Sequence, residues 1–463
     1  MIIVKKVGKN IFFRKYIWVL LILIICLHLY LLKHLVFFPY PELFIYPYLT
    51  NQGLLPYKQI FDQHFPGLMF FPINLGTLGM NTPIDARYWQ FGIIVFTHIM
   101  LYVSAKKINR SEKWALFVNL IYFIWQPYLE GYVLWIDVFV VPILLLAFYL
   151  LTKKSLFLSG LFLGVALLFK QVTIPLIGLV FLYLFFTSEG VKNIISFLFG
   201  LFIPVVALVF WVLKLGIWKE FIFWTVTFNL TTFAQMGRKY PGISDLMKLI
   251  PVYGLSIVLI SYILFIKKEK KPNFILVVLF FISTLAFAYA RFDFVHLQPS
   301  LVFALLILTY LIKKLVHRKK YLIAGIYVLV SILITSSRYQ SLTGSNVLFF
   351  GDFEKQVSFK VAELTTPKDV IFAMGTFPHI YQQTNTLPPG SLFVFQFPWF
   401  MYEAENKILS AIISNPPKVI VRDKNITISG IKVTTFMPNI NSYIDQNYNV
   451  SAYSDSTEIL LPK

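Results

Sequence analysis

The sequence predicts an α-helical polytopic membrane protein of about eleven transmembrane helices, N-terminus cytoplasmic, with a small C-terminal α/β domain on the outer face. Three observations predict it. Of the 463 residues 58% are hydrophobic and only 13% charged, too apolar a balance for a soluble globule. Long apolar runs alternate with short clusters of Lys and Arg. From about residue 337 the composition turns to mixed polar and apolar segments.

The spans are apolar runs near the roughly 17 to 25 residues that cross a hydrocarbon core as a helix. They centre on 16–38, 87–105, 114–128, 132–152, 155–170, 172–187, 193–214, 247–266, 273–290, 297–312 and 321–336. The first is too long, and too poor in small residues for a cleavage site, to be a removable signal, so it reads as a retained helix. The lone cysteine, Cys26, lies within it and forms no disulfide framework.

Orientation follows from the basic clusters. Lys5, Lys6, Lys9, Arg14 and Lys15 precede the first span, Lys106, Lys107, Arg110 and Lys113 follow the second, and Lys153 and Lys154 follow the fourth. Lys192, "KKEKK" at 267–271, Lys313, Lys314 and "RKK" at 318–320 complete one side, which holds 21 of the 41 basic residues. This asymmetry marks the cytoplasmic side. The net charge of +20 therefore encodes topology, and nucleic-acid binding is not expected. An odd number of spans then places residues 337–463 outside as a second domain after a membrane domain of residues 1–336.

With that topology the acids sort by side. Glu42, Asp62, Asp85, Glu130, Asp137, Glu220, Asp245 and Asp293 fall on the outer face or at outer helix ends, and Glu112, Glu189 and Glu269 fall inside. Charge near a membrane is costly, so clustered carboxylates there mark a candidate site. The densest stretch is "PYPELFIYPYLTNQGLLPYKQIFDQHFPG" at 39–67, within a first outer loop of 39–86. Pro41 suits a first helical turn, Glu42 sits where the helix dipole favours an anion, and Gly53 suits a C-cap, so a short helix is expected over about 41–52. Tyr40, Tyr46, Tyr48 and Tyr57 are residues an interfacial helix carries anyway. The following segment reads as a structured loop bearing Asp62 and His64.

A carboxylate just after the first membrane helix, then G-x-x-P-Y, then an acid shortly before Pro-Gly, resembles the first outer loop of polyprenyl-phosphate-sugar-dependent glycosyltransferases of the GT-C fold. The relatives are the protein O-mannosyltransferases and the bacterial lipid A aminoarabinose transferases. "GLFLGVALLFKQVTIP" at 160–175, "ARFDFVHLQPSL" at 290–301 and an outer C-terminal domain agree with it. The family often shows a paired Asp and Glu, or an Asp, where this chain has a lone Glu42 after Pro41, so the base is open between Glu42 and Asp62.

The resemblance implies a polyprenyl-phosphate-linked sugar as donor, the lipid bilayer as setting, a plasma (inner) membrane location and an active site on the extracytoplasmic face. The acceptor is a protein, a lipid or a cell-wall glycan. Such a donor carries its own leaving group, so one general base and a few cations suffice. Glu42 is the first candidate base and Asp62 the second. Lys170, Arg238, Lys239, Arg291 and His296 are candidates for the donor phosphate. His64, Tyr57 and Asp293 complete the set. One base and an in-line attack imply inversion at the anomeric carbon. No cofactor is expected. A divalent cation on Glu42 and Asp62 is compatible with hard-cation chemistry, but mannosyltransferase-like members manage without one, and no His or Cys spacing here suits zinc.

Each candidate also has a plainer reading. Lys170 would snorkel to the interface, Arg291 and Asp293 would pair locally, and His64 would be a hydrogen-bonded loop residue. The aromatic stretch 215–246 suits a lid over a lipid-linked donor, or an interfacial helix without substrate contact. In the C-terminal domain "FEKQVSFKVAEL" and "EAENKILSAIIS" read as helices, "DVIFAMG" and "KVIVRD" as strands, and "NVSAYSDSTEILLP" as a hairpin. That domain lacks a phosphate loop and a G-x-S-x-G, so it is expected to serve the acceptor or the structure. A lipid-linked glycan flippase, a glycan polymerase or ligase, and a scaffold without chemistry are the rival readings. Neither internal repeats nor arginine-rich outer loops favour the first two.

Overall fold

The computed structural model describes residues 2–187, 190–268, 271–315, 319–344 and 346–463, with side chains from residue 16 onward except at 315. Glu189, Glu269, Lys270 and Arg318 lie outside the described residues, as do the side chains of Lys5, Lys6, Lys9, Arg14 and Lys15. The chain divides into two compact units. The first joins Met1–Phe37, Arg87–Val206 and Lys239–Asn346, and the second joins Phe38–Ala86, Ala207–Arg238 and Val347–Lys463.

The first unit is helical, and every expected apolar segment carries a helix among the described residues. In order these are Ile2–His34, Pro83–Asn109, Glu112–Trp125, Ile136–Thr152, Leu156–Phe169, Ile174–Phe186, Val191–Lys214, Ile243–Ile266, Pro272–Leu285, Gln298–Leu315 and Lys320–Leu342. Six segments, Tyr16–His34, Pro83–Asn109, Val191–Lys214, Ile243–Ile266, Phe294–Lys314 and Lys320–Leu342, are long and apolar enough to cross a membrane. Phe294–Lys314 is almost wholly buried by the others, whereas Phe199, Phe202, Phe265 and Leu333 point outward, as lipid-facing side chains do. The break anticipated at Lys170 is present: Leu156–Phe169 ends there and a short 3₁₀ turn, Gln171–Thr173, leads into the next helix.

Helix Ile136–Thr152 starts four residues later than its apolar run, because Glu130 turns the chain with φ 59° and Trp135 is extended. Hydropathy cannot register that turn, since every side chain in it but Glu130 is apolar or aromatic or absent. Helices Leu156–Phe169 and Val191–Lys214 touch backbone to backbone through glycines. A Cβ on Gly160 would meet the Phe197 carbonyl at 2.0 Å, and one on Gly200 the Phe157 carbonyl at 2.0 Å. Gly160→Val is therefore expected to lower stability by about 1–3 kcal/mol through overpacking. Apparent unfolding midpoints of the detergent-purified variant against Gly178→Val, where a Cβ meets nothing within 4 Å, check it.

The same unit buries a polar chain at helix depth. Asn119 bonds the His98 ring at 2.8 Å, His98 bonds His28 at 2.9 Å, and His28 bonds the Gln126 side chain at 3.0 Å. Such mutually satisfied groups tie three helices together where water cannot serve them.

The second unit is α/β. Its sheet runs in the order Ile371–Met374, Val419–Arg422, Thr457–Pro462, Tyr448–Ser454, the first pair parallel and the others antiparallel. Helices Asp352–Leu364 and Pro398–Ser414 and the closing hairpin fall where the sequence pattern puts them. Buried Arg422 sits between Glu458 at 2.7 Å and Asp445 at 2.7 Å, closing one end of the sheet. The first loop docks on this part of the unit. Ile60–Phe61 pairs in parallel with Phe393–Val394, and the Tyr48 hydroxyl donates to the Thr386 carbonyl at 3.0 Å.

Candidate active site

In the second unit the short helix expected over about 41–52 forms as Glu42–Asn51. Pro41 caps its start, and Gly53, at φ +94°, takes the left-handed conformation that ends it. Pro41 at the N-cap puts Glu42 in the first turn, where the exposed backbone N–H groups favour a negative charge. Glu42 is nonetheless buried, 8% exposed, and its Oε2 has no hydrogen-bond partner among the described residues. Burial, and secondarily the charge of Asp62, push its carboxyl up to about 8.

Asp62 is a different carboxylate. It is 1% exposed and accepts three hydrogen bonds: the Tyr46 hydroxyl at 3.3 Å, the His64 N–H at 3.1 Å and the His64 Nδ1 at 3.1 Å. Tyr57 donates to the His64 carbonyl at 2.9 Å, from a backbone at φ 63° that few non-glycine residues adopt. Burial, with Asp62 nearby, keeps the Tyr46 and Tyr57 hydroxyls protonated well above the usual tyrosine range, so both remain donors. The Tyr46 ring packs against Phe70, Phe393 and Phe395, which fixes the helix on which Glu42 rides. His64 thus holds Asp62 from the loop through both its N–H and its ring. Arg238 is exposed on the surface of this unit.

In the first unit, Lys170 and His296 meet at a residue that the sequence ranked only among the outer acids. Lys170 Nζ lies 2.6 Å and 2.7 Å from the two oxygens of Asp137, and His296 Nδ1 lies 2.8 Å from Asp137 Oδ2 and 3.2 Å from Lys170 Nζ. Asp137 is 0% exposed, so this is a buried ion pair with an imidazole on it and not a lysine reaching for solvent. The missed signal was an acid in the first turn of one apolar helix with a cation ending the next. Beside this triad Glu130 Oε2 accepts the Val295 N–H at 3.0 Å. Burial holds the Glu130 carboxyl above its ordinary range. Lys239 reaches Asp293 at 2.6 Å and Arg291 reaches it at 3.3 Å, the local pairing expected of Arg291 and Asp293 with Lys239 added.

Among the described residues no three His, Cys, Asp or Glu side chains converge as a metal-holding group. A magnesium ion takes only one or two protein carboxylates beside water and a substrate phosphate; of the two acids of the loop, Asp62 already holds the Tyr46 hydroxyl and the His64 Nδ1. The arrangement can do acid–base work in one unit and present cations around a buried carboxylate in the other.

No protein-family model and no curated protein matches the chain. Solved structures do. A crystal structure of ArnT from Cupriavidus metallidurans bound to undecaprenyl phosphate superposes with a TM-score of 0.65 at 11% identity, covering 96% of this chain and 98% of that one. The apo state of the same protein gives a TM-score of 0.60 at 11% identity, with 98% of each chain covered. The fold is therefore that of ArnT along nearly its whole length.

Proposed function

We propose that the chain is an integral membrane glycosyltransferase of the GT-C type, moving a monosaccharide from a polyprenyl-phosphate carrier to an acceptor on the outer face of the plasma (inner) membrane. The observation that carries this reading is the buried acid pair of the first loop, in which Glu42 keeps one carboxyl oxygen without a partner among the described residues while Asp62 accepts three hydrogen bonds. The likeness to an ArnT structure bound to undecaprenyl phosphate supports it at the level of architecture. Residues 1–336 with the loop 39–86 are the catalytic membrane part, and 337–463 the extracytoplasmic part.

Glu42 takes the proton from the acceptor hydroxyl or amine as that atom attacks the anomeric carbon. The bond from that carbon to the phosphate oxygen breaks, and the lipid phosphate leaves with the electron pair. Inversion follows from the single displacement. Asp62, oriented by Tyr46 and His64, keeps the Glu42 proton affinity high and is the second candidate for the base. Lys170, His296, Lys239, Arg291 and Arg238 are the cations proposed to meet the phosphate charge, which in the transition state exceeds that of the ground state.

The test is sugar transfer from a panel of radiolabelled polyprenyl-phosphate monosaccharides in membranes holding the wild type, with acceptor extract added. At least one donor is expected to turn over, with inverted configuration in the product. A well-folded wild type that turns over none would move the reading to the flippase or the scaffold.

A further inference from the structure

At the basic end of the first unit, helices Pro83–Asn109 and Gln298–Leu315 finish with Lys106, Lys107, Lys313 and Lys314, and helix Lys320–Leu342 starts with a lysine. Helix Glu112–Trp125 packs against both later helices, which brings these termini together. Lys313 is the hub. Its Nζ donates to the Asn109 carbonyl, and Lys320, Arg110 and Lys271 all lie within electrostatic range of it.

Charges are usually paired where they crowd, as Lys106 is with Glu112 at 2.6 Å. Among the described residues Arg110, Lys313 and Lys320 have no carboxylate partner. The Asn109 side chain, 2% exposed, leaves both its amide atoms unbonded among the described residues. Next to this cluster the Trp114 and Tyr321 rings stack at 5.9 Å, and Lys320 Nζ stands 5.5 Å from the Tyr321 centroid. Tyr321 and Leu322 are each 60% exposed, an apolar surface beside Lys320.

A concentration of like charge beside an exposed apolar wall lacks one component, an anion with a hydrocarbon tail. We propose that Arg110, Lys313 and Lys320 bind the phosphate of an anionic glycerophospholipid, with the Asn109 amide as a further donor and Tyr321 and Leu322 against its acyl region. Arg110 offers a two-pronged donor and the lysines point charges, the usual division of labour at a phosphate. Basic pockets between membrane helices recognise lipid headgroups in this way. The inference rests on the membrane reading of the helical unit and is independent of the transfer chemistry.

The experiment uses the full-length protein in phosphatidylcholine–detergent micelles, titrated with phosphatidylglycerol and followed by apparent unfolding midpoint and by lipid retained after gel filtration. Phosphatidylglycerol is expected to raise the wild-type midpoint and to be retained. The triple variant Arg110→Gln, Lys313→Gln, Lys320→Gln should bind it roughly a hundredfold more weakly, while Lys106→Gln with Lys107→Gln binds as wild type does. Should the triple variant fail to fold, Lys320→Gln alone should lose about fivefold. Equal loss in the Lys106, Lys107 variant would reduce the site to a general charge field. An equal midpoint shift from inorganic phosphate would make the ligand a free anion. Either result, or unchanged binding in the triple variant, overturns the proposal.

Discussion

Glu42→Gln is expected to lower turnover of the polyprenyl-phosphate sugar by about 10² to 10⁴, the usual worth of a positioned general base, whereas Asp62→Asn retains a measurable rate with an altered pH profile. The sign follows from the site. A base works only when deprotonated, and burial plus the Asp62 charge lift the Glu42 carboxyl to about 8. Activity in the wild type should therefore rise with pH along a limb near 8. Removing the Asp62 charge removes one of the two causes, so the limb in Asp62→Asn should move to lower pH. Stability runs the other way. The folded carboxyl holds its proton more tightly than an unfolded one at 4.5, so the Glu42 contribution is full below 4.5 and is lost as pH rises through about 8. Its size is on the order of a few kcal/mol. Glu42→Gln should flatten that loss, since an amide has no proton to release. Initial rates and unfolding midpoints from pH 5 to 9 for the three proteins decide the assignment. A limb that survives in Glu42→Gln and vanishes in Asp62→Asn would transfer the role of base to Asp62.

Much of this architecture was legible in the sequence because membrane helices announce themselves by length and apolarity. The helices at 193–214 and 321–336 needed nothing beyond a hydropathy reading, and in the C-terminal segment the short continuous apolar runs in "DVIFAMG" and "KVIVRD" marked the two buried parallel strands. The helix at Glu42 was legible for another reason: Pro41 and Gly53 are local signals that act whatever surrounds them. What escaped was non-local. Ile60–Phe61 is two residues long, too short for periodicity, and it is a strand only because Phe393–Val394 lies beside it. Asp137 was visible only as one of the acids expected near outer helix ends, but its pairing with Lys170 and His296 joins residues 33 and 159 positions apart, and a sequence carries no distance between them. His64 shows the same limit within a loop. Its spacing from Asp62 carries no geometry, and only the structure shows the 3.1 Å contact between them.

Asp137→Ala is expected to be the most destabilising single change in the helical unit, by about 3–5 kcal/mol, because it strands a buried cation. Lys170 is 6% exposed, and its ammonium has Asp137, the His296 ring and, 5.2 Å away, the Phe287 ring around it. Neither ring can replace a carboxylate that accepts at both oxygens. Removing both charges together is a different matter, since the pair gives back in attraction little more than it lost in desolvation. Asp137→Leu with Lys170→Met should thus recover most of the unfolding midpoint lost by Asp137→Ala, in a double-mutant cycle measured in detergent. Donor turnover then separates packing from chemistry. If Lys170 meets the leaving phosphate, the double variant is stable and inactive; if the pair only fastens Ile136–Thr152 to the turn after Phe169, the double variant is stable and turns over like wild type. An Asp137→Ala midpoint equal to wild type would mean that the lysine finds another anion, and the ion pair would lose its place in both the stability and the phosphate arguments.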